Sequence, residues 1–123
     1  MKVLICDDDP VIRYLLKVVL GKRAGDEVIE VANADEVFEA ADLHRPDLIV
    51  LDYVMPNRNG AEVVEELRTD EVLGAIPVVF LTGRSDIAEE TLDEIGVAGL
   101  IEKPFDASAL PDRLRGFAAT RAR

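Results

Sequence analysis

Three short stretches, VLIC at residues 3–6, DLIVL at 47–51 and VVFL at 78–81, are apolar almost throughout. A strand with water on one face alternates apolar and polar residues. A strand apolar at consecutive positions has both faces covered. The sheet built from these strands must therefore lie between two other layers. Two weaker candidates, EVIEVA at 27–32 and GLIE at 99–102, extend the series to five. Between them the period changes to helical. Val11, Ile12, Leu15, Leu16 and Val19 form one stripe, and Ala34, Val37, Phe38 and Ala41 a second. Val63, Val64 and Leu67 form a third, with Glu62, Glu65, Glu66 and Arg68 facing outward. Ala88, Leu92 and Ile95 make a fourth stripe, and Leu110, Leu114 and Phe117 a fifth.

Glycine and proline mark the joins. Gly21 and Gly25 read as stops after the first helix. Pro46 precedes the third strand, Pro77 starts the fourth, and Pro56 and Gly60 bound the loop after the third. Asp106 or Ser108 is expected to cap the last helix, with Pro111 in its first turn. The alternation predicts an α/β fold, a doubly wound (βα)5 with a five-stranded parallel sheet and helices on both faces. Such sheets commonly take the order 2-1-3-4-5. Their sites lie at the carboxyl ends of the strands, near the switch between the first and third.

With 123 residues, 49% of them hydrophobic, the chain is long enough to bury a core as one domain, 1–123. No linker, repeat or low-complexity segment is visible, and no effector domain is expected within these residues. A net charge of −11 disfavours direct binding to nucleic-acid backbones and to anionic membranes. Arg113, Arg115, Arg121 and Arg123 read as favourable charge at the end of the last helix. Cys6 is the one cysteine, so no intramolecular disulfide forms, and it reads as an inert core residue. His44 reads as a surface or loop residue, and Tyr53 and Met55 as loop packing residues. Neither a signal segment nor a span of membrane length is seen, and a cytoplasmic location is expected.

The strand ends hold the chemistry. Asp7, Asp8 and Asp9 follow the first apolar run, Asp52 the third, Thr82 the fourth and Lys103 the fifth. A parallel sheet brings all of them to one rim. Carboxylates gathered at one point raise each other's pKa unless a cation is present. Lys103 supplies one positive charge. Hard oxygen ligands with few protein contacts suit Mg2+, which keeps several waters and is often completed by a phosphate. Asp7, Asp8 and Asp52 around Mg2+, with Lys103 as a point charge and Thr82 as a hydroxyl donor, would stabilise a transferring phosphoryl group. An aspartate oxygen is a competent nucleophile for it.

ICDDDP, PDLIVLDYVMPNRNG around Asp52, IPVVFLTG around Thr82 and GLIEKPF around Lys103, in this order and spacing, resemble the receiver domain of two-component response regulators. The likeness runs from Val3 to about Phe117. It also informs the 2-1-3-4-5 order, of which a chemotaxis receiver is a standard example. The resemblance implies a phosphorylation switch with Asp52 as phosphoacceptor. It implies that Asp7 and Asp8 hold Mg2+, Asp8 directly and Asp7 largely through water, with the backbone carbonyl of Val54 as a further ligand. It implies that Thr82 and Lys103 meet the phosphoryl oxygens, that Asp9 lies outside the site, and that Pro56 and Gly60 shape the loop. The implied partners are a histidine kinase or histidine phosphotransfer protein and a downstream protein target. The target would be met by the fourth helix, fifth strand and fifth helix, and the domain would be a monomer or weak dimer.

Three positions depart from the family pattern. Leu100 stands where an aromatic residue is frequent, Gly83 follows the switch hydroxyl where alanine is frequent, and Asn57-Arg58-Asn59 precedes Gly60 where aspartate is frequent. None removes a group needed for phosphorylation. The acidic positions Asp86, Glu89, Glu90, Asp93 and Glu94 read as a solvated face of the fourth helix. A rival reading is an enzyme, since Asp7-x-Asp9 after an apolar strand also resembles the nucleophile motif of haloacid-dehalogenase-like phosphatases. That class needs a second acidic motif after a later strand, where this chain has Thr82 and Lys103. A third reading, a receiver that only docks, is opposed by the complete set of chemical residues.

Overall fold

The computed structural model describes residues 1–83 and 89–119, and for 89–91 the backbone only. Five strands, β1 (Lys2–Cys6), β2 (Glu27–Val31), β3 (Leu48–Leu51), β4 (Val78–Thr82) and β5 (Gly99–Glu102), form one sheet in the order β2-β1-β3-β4-β5. Every pairing is parallel. The helices are α1 (Pro10–Leu16), α2 (Val37–His44), α3 (Gly60–Leu67), α4 (Glu89–Ile95) and α5 (Leu110–Ala118). The expected fold class and strand order are thus observed.

Successive strand residues point to opposite faces, and here both faces are apolar. Leu4, Cys6, Ile49, Leu51, Val78 and Phe80 pack beneath α2, α3 and the Leu92–Ile95 side of α4. Val3, Ile5, Leu48, Val50, Val79, Leu81 and Ile101 pack beneath the first and last helices through Leu16, Val19, Leu20, Leu110 and Leu114. This two-sided cover is why β1, β3 and β4 read as unbroken apolar runs.

The first helix departs from its expected stripe. Leu16, Val19 and Leu20 are buried, whereas Val11 is 70% exposed and Leu15 lies at the surface. Val11 and Leu15 lie in the α part, one position to the side of the line Ile12, Leu16, Val19 and Leu20 that meets the core, and from Lys17 to Arg23 the helix continues in π form with a wider turn. Gly21 lies inside this segment, and Gly25, at φ +76°, is the actual stop.

The start of α5 also differs. Ala109 precedes it without a side-chain cap. Asp106 instead accepts from the Ser108 amide and hydroxyl at 3.0 and 2.7 Å, closing the turn before the helix. Pro111 is at the helix start as expected. A short 3-10 turn, Ala34–Glu36, carries the beginning of the second stripe into α2. Arg115 does more than balance a helix end: its Nη2 donates to both oxygens of buried Asp26, at 3.0 and 3.1 Å, and to Ala24 O. Half-buried His44 is the last residue of α2, and its carbonyl accepts from Lys2 Nζ at 2.9 Å. Ala88, Asp86, Arg121 and Arg123 lie outside the described residues. Among the described residues no helix is long and apolar enough to cross a membrane.

Candidate functional site

β1 and β3 pair in register Cys6↔Leu51, and the Asp52 amide donates to Cys6 O at 2.9 Å. Asp7 and Asp52, each the next residue along, therefore leave the sheet side by side. β4 and β5 end in register Thr82↔Glu102, and the Lys103 amide donates to Thr82 O at 2.9 Å. That places the lysine across the rim. Its Nζ lies 2.7 Å from Asp7 Oδ2 and 3.5 Å from Asp52 Oδ2. Asp7, Asp8 and Asp52 each present a carboxylate oxygen, and these atoms all lie within 4.8 Å of one another. Asp7, Asp52 and Thr82 are buried and Asp8 is exposed. Val54 is half-exposed, and its amide donates to Asp52 Oδ1 at 3.2 Å.

The electrostatics follow from this packing. Burial, and then the neighbouring charge of Asp7, raise the Asp52 pKa above the ordinary carboxylate value, against the opposing pull of Lys103 and the Val54 amide. Burial disfavours the charged form of Lys103, but the Asp7 hydrogen bond and the Asp52 charge outweigh it, and its pKa is raised. Burial, with the charges of Asp7 and Asp52, pushes the Cys6 thiol up to about 12. Cys6 is thus inert at neutral pH, packed with its sulfur 3.5 Å from that of Met55.

Asp9 has a local task. Its Oδ1 accepts from the Val11 amide at 2.9 Å, capping α1, while its own amide donates to Asp7 Oδ1 at 2.9 Å. After β3, Gly60 allows close approach: a Cβ there would sit 2.7 Å from Phe80 Cε1 and 3.2 Å from Tyr53 Cα. The Tyr53 and Phe80 rings meet edge to face at 5.2 Å.

Sequence reasoning missed several supports. Asn59 and Glu62 form a capping box at α3, a pattern legible in N-x-x-E. Arg58 Nη1 reaches Glu66 at 3.0 Å and Asp35 at 3.5 Å, tying the loop after Asp52 to α3. Arg13 Nη1 donates to the Asp7 carbonyl at 2.7 Å, and only its place one turn into α1 signals this. Val11, Tyr14 and Leu15 leave apolar surface on α1, the helix that begins directly after the acidic cluster.

A doubly wound parallel sheet with an acidic rim and one lysine defines the class. Residues 3–115 match the family model of the response regulator receiver domain, and the chain belongs to that family. It is 35% identical over 111 residues to the transcriptional regulatory protein PdtaR of Mycobacterium tuberculosis, covering 89% of this chain and 52% of that protein. It is 36% identical over 115 residues to the phosphate regulon transcriptional regulatory protein PhoB of Pseudomonas aeruginosa, covering 92% of this chain and 49% of that one. The chain thus spans about half the length of these curated relatives. Both relatives are named as regulators of transcription, not as turnover enzymes. The structure of the Vibrio cholerae chemotaxis response regulator CheY4 superposes with a TM-score of 0.85 at 30% identity, covering 94% of this chain and 97% of that one. Residues 3–115 thus form a receiver domain of the two-component kind.

Proposed function

We propose that this receiver is a phosphoacceptor switch, in which Asp52 takes a phosphoryl group from the histidine of a kinase or phosphotransfer protein. The observation that carries the reading is the meeting of Asp52 with Asp7, Asp8 and Lys103 at one rim. Three carboxylates face one ammonium there, which leaves an excess of negative charge in an all-oxygen donor set. That chemistry fits Mg2+. Asp8, Asp52 and the Val54 carbonyl would hold the ion, with Asp7 acting through water. The bound ion would neutralise charge on the oxygens of the transferring group.

The remaining work belongs to the chain. An Asp52 carboxylate oxygen bonds to phosphorus, and the histidine nitrogen leaves with the electron pair of the broken N–P bond. Lys103 and the Thr82 hydroxyl then meet the new phosphoryl oxygens. The exposed apolar side chains of α1, next to the acidic cluster, suit a docking helix of the donor. The added group brings about −1.5 to −2 charge and strong acceptors. These draw the Thr82 hydroxyl toward Asp52 and act on the β4–α4 loop from Gly83; Arg84 and Ser85 lie outside the described residues. Half-buried Leu100 packs against the core without a polar tip to expose, so the target reads α4 more than β5. The domain works in the cytoplasm, without direct contact to nucleic acid or membrane.

The test is incubation with a small acyl phosphate and Mg2+, followed by mass spectrometry. One base-labile phosphoryl group on Asp52, lost in Asp52→Asn, is the expected result. A group found on Asp7 would overturn the reading in favour of a phosphatase-like nucleophile.

A further inference from the structure

The Arg13 guanidinium donates on two sides at once. Nη1 binds the backbone carbonyl of Asp7 at 2.7 Å, and Nε binds Glu30 Oε1 on β2 at 3.1 Å. Its side chain is only 17% exposed. The other oxygen of Glu30 is held by Lys17 Nζ at 2.7 Å, so the carboxylate that orients Arg13 is itself fixed. Asp7 is thereby gripped at three points. Lys103 and the Asp9 amide take its carboxylate oxygens, and Arg13 takes its carbonyl.

We propose that Arg13 is a positioning residue of the acidic site: its planar fork fixes the turn at residues 7–9 and so presets the carboxylates for a divalent cation. The proposal rests on the metal-site reading above. Its physical content lies in a sign. A positive charge near a cation site weakens cation binding by Coulomb repulsion. If Arg13 contributed only charge, its removal would tighten binding. If it preorganises the carboxylates, its removal loosens binding, because the ordering of the turn then falls on the ion. A fork with fixed donors on two edges suits the second role.

The experiment is a Mn2+ titration of the intact domain, with free ion followed by electron paramagnetic resonance. Arg13→Gln is expected to weaken Mn2+ binding about tenfold, at the low end for groups that orient metal ligands. Lys22→Gln removes one charge from an exposed position further along the same helix, outside the Arg13–Glu30–Lys17 set, and is expected to change it by less than about twofold. Glu30→Ala should give part of the Arg13→Gln loss, and the double variant should bind no worse than Arg13→Gln alone. Tighter binding, or unchanged binding, in Arg13→Gln overturns the proposal.

Amide exchange in the metal-free protein separates this from failure of the metal site itself. The Asp9 amide should exchange faster in Arg13→Gln while the Asp52 amide keeps its protection. If wild type binds no Mn2+, the metal reading falls, and the exchange result still decides whether Arg13 orders the turn. Unchanged exchange at Asp9 overturns that role.

Discussion

Asp52 is placed where ionisation is unfavourable until a cation arrives. Burial and the charge of Asp7 hold its pKa above 3.8, so the folded domain keeps this proton to higher pH than the unfolded chain does. The sign follows from linkage. Stability from this group is fully present below the unfolded value and is lost as pH rises through the folded one. Above the group's ordinary value the metal-free domain bears this penalty. Asp52→Asn should therefore melt a few degrees above wild type at pH 7 without metal, and the gap should close as pH falls below about 4. Saturating Mg2+ should narrow or invert it. Thermal scans across pH check this; equal melting temperatures at pH 7 would show that Asp52 is not under charge strain.

At the scale of elements, the loop from β3 to α3 depends on Gly60. Its missing Cβ leaves room for the fully buried Phe80 ring, and the capping box at Asn59 starts α3 beside it. Phe80 is enclosed by the core and has little room to move. Gly60→Ala should cost about 1–3 kcal/mol, the range for overpacking. Gly116, exposed in α5, meets nothing within 4 Å, so Gly116→Ala should gain up to about 1 kcal/mol from helix propensity. Urea denaturation of the two variants tests both signs. Similar small effects at the two glycines would remove the close approach as the reason for Gly60.

For the whole molecule, the proposed metal site would couple stability to divalent cations. An ion that binds the folded state alone stabilises it by mass action, by about 2.7 kcal/mol at 100 times its Kd. Mg2+ should raise the melting temperature with this logarithmic dependence. Asp8 is exposed, so Asp8→Asn leaves the core intact and isolates the ligand role. The variant should fold and lose the Mg2+ response. A melting temperature flat across the titration in wild type, or a full response in Asp8→Asn, would contradict the proposed ligand set.

What the sequence by itself determined is local in origin. Consecutive apolar residues at 3–6, 48–51 and 78–81 require cover on both faces, and the helical stripes between them make that cover helices on both sides of a parallel sheet. Once the strands are parallel, residues that follow their carboxyl ends share a rim, so Asp7, Asp8, Asp52, Thr82 and Lys103 were legible as a group. Only the tertiary structure decided which member of the DDD run is buried under Lys103, which lies at the surface, and which caps α1. The three side chains are chemically identical, and their fates differ through the direction in which the chain turns out of β1. The same holds for the first helix, where Leu16, Val19 and Leu20 face the core while Val11 and Leu15 do not. It holds for Arg115 with Asp26 and for Arg13 with Glu30 as well, pairs joined across 89 and 17 residues. Periodicity reports which face of an element is apolar. Partners across such separations depend on register and side-chain reach, which exist only once the elements have packed.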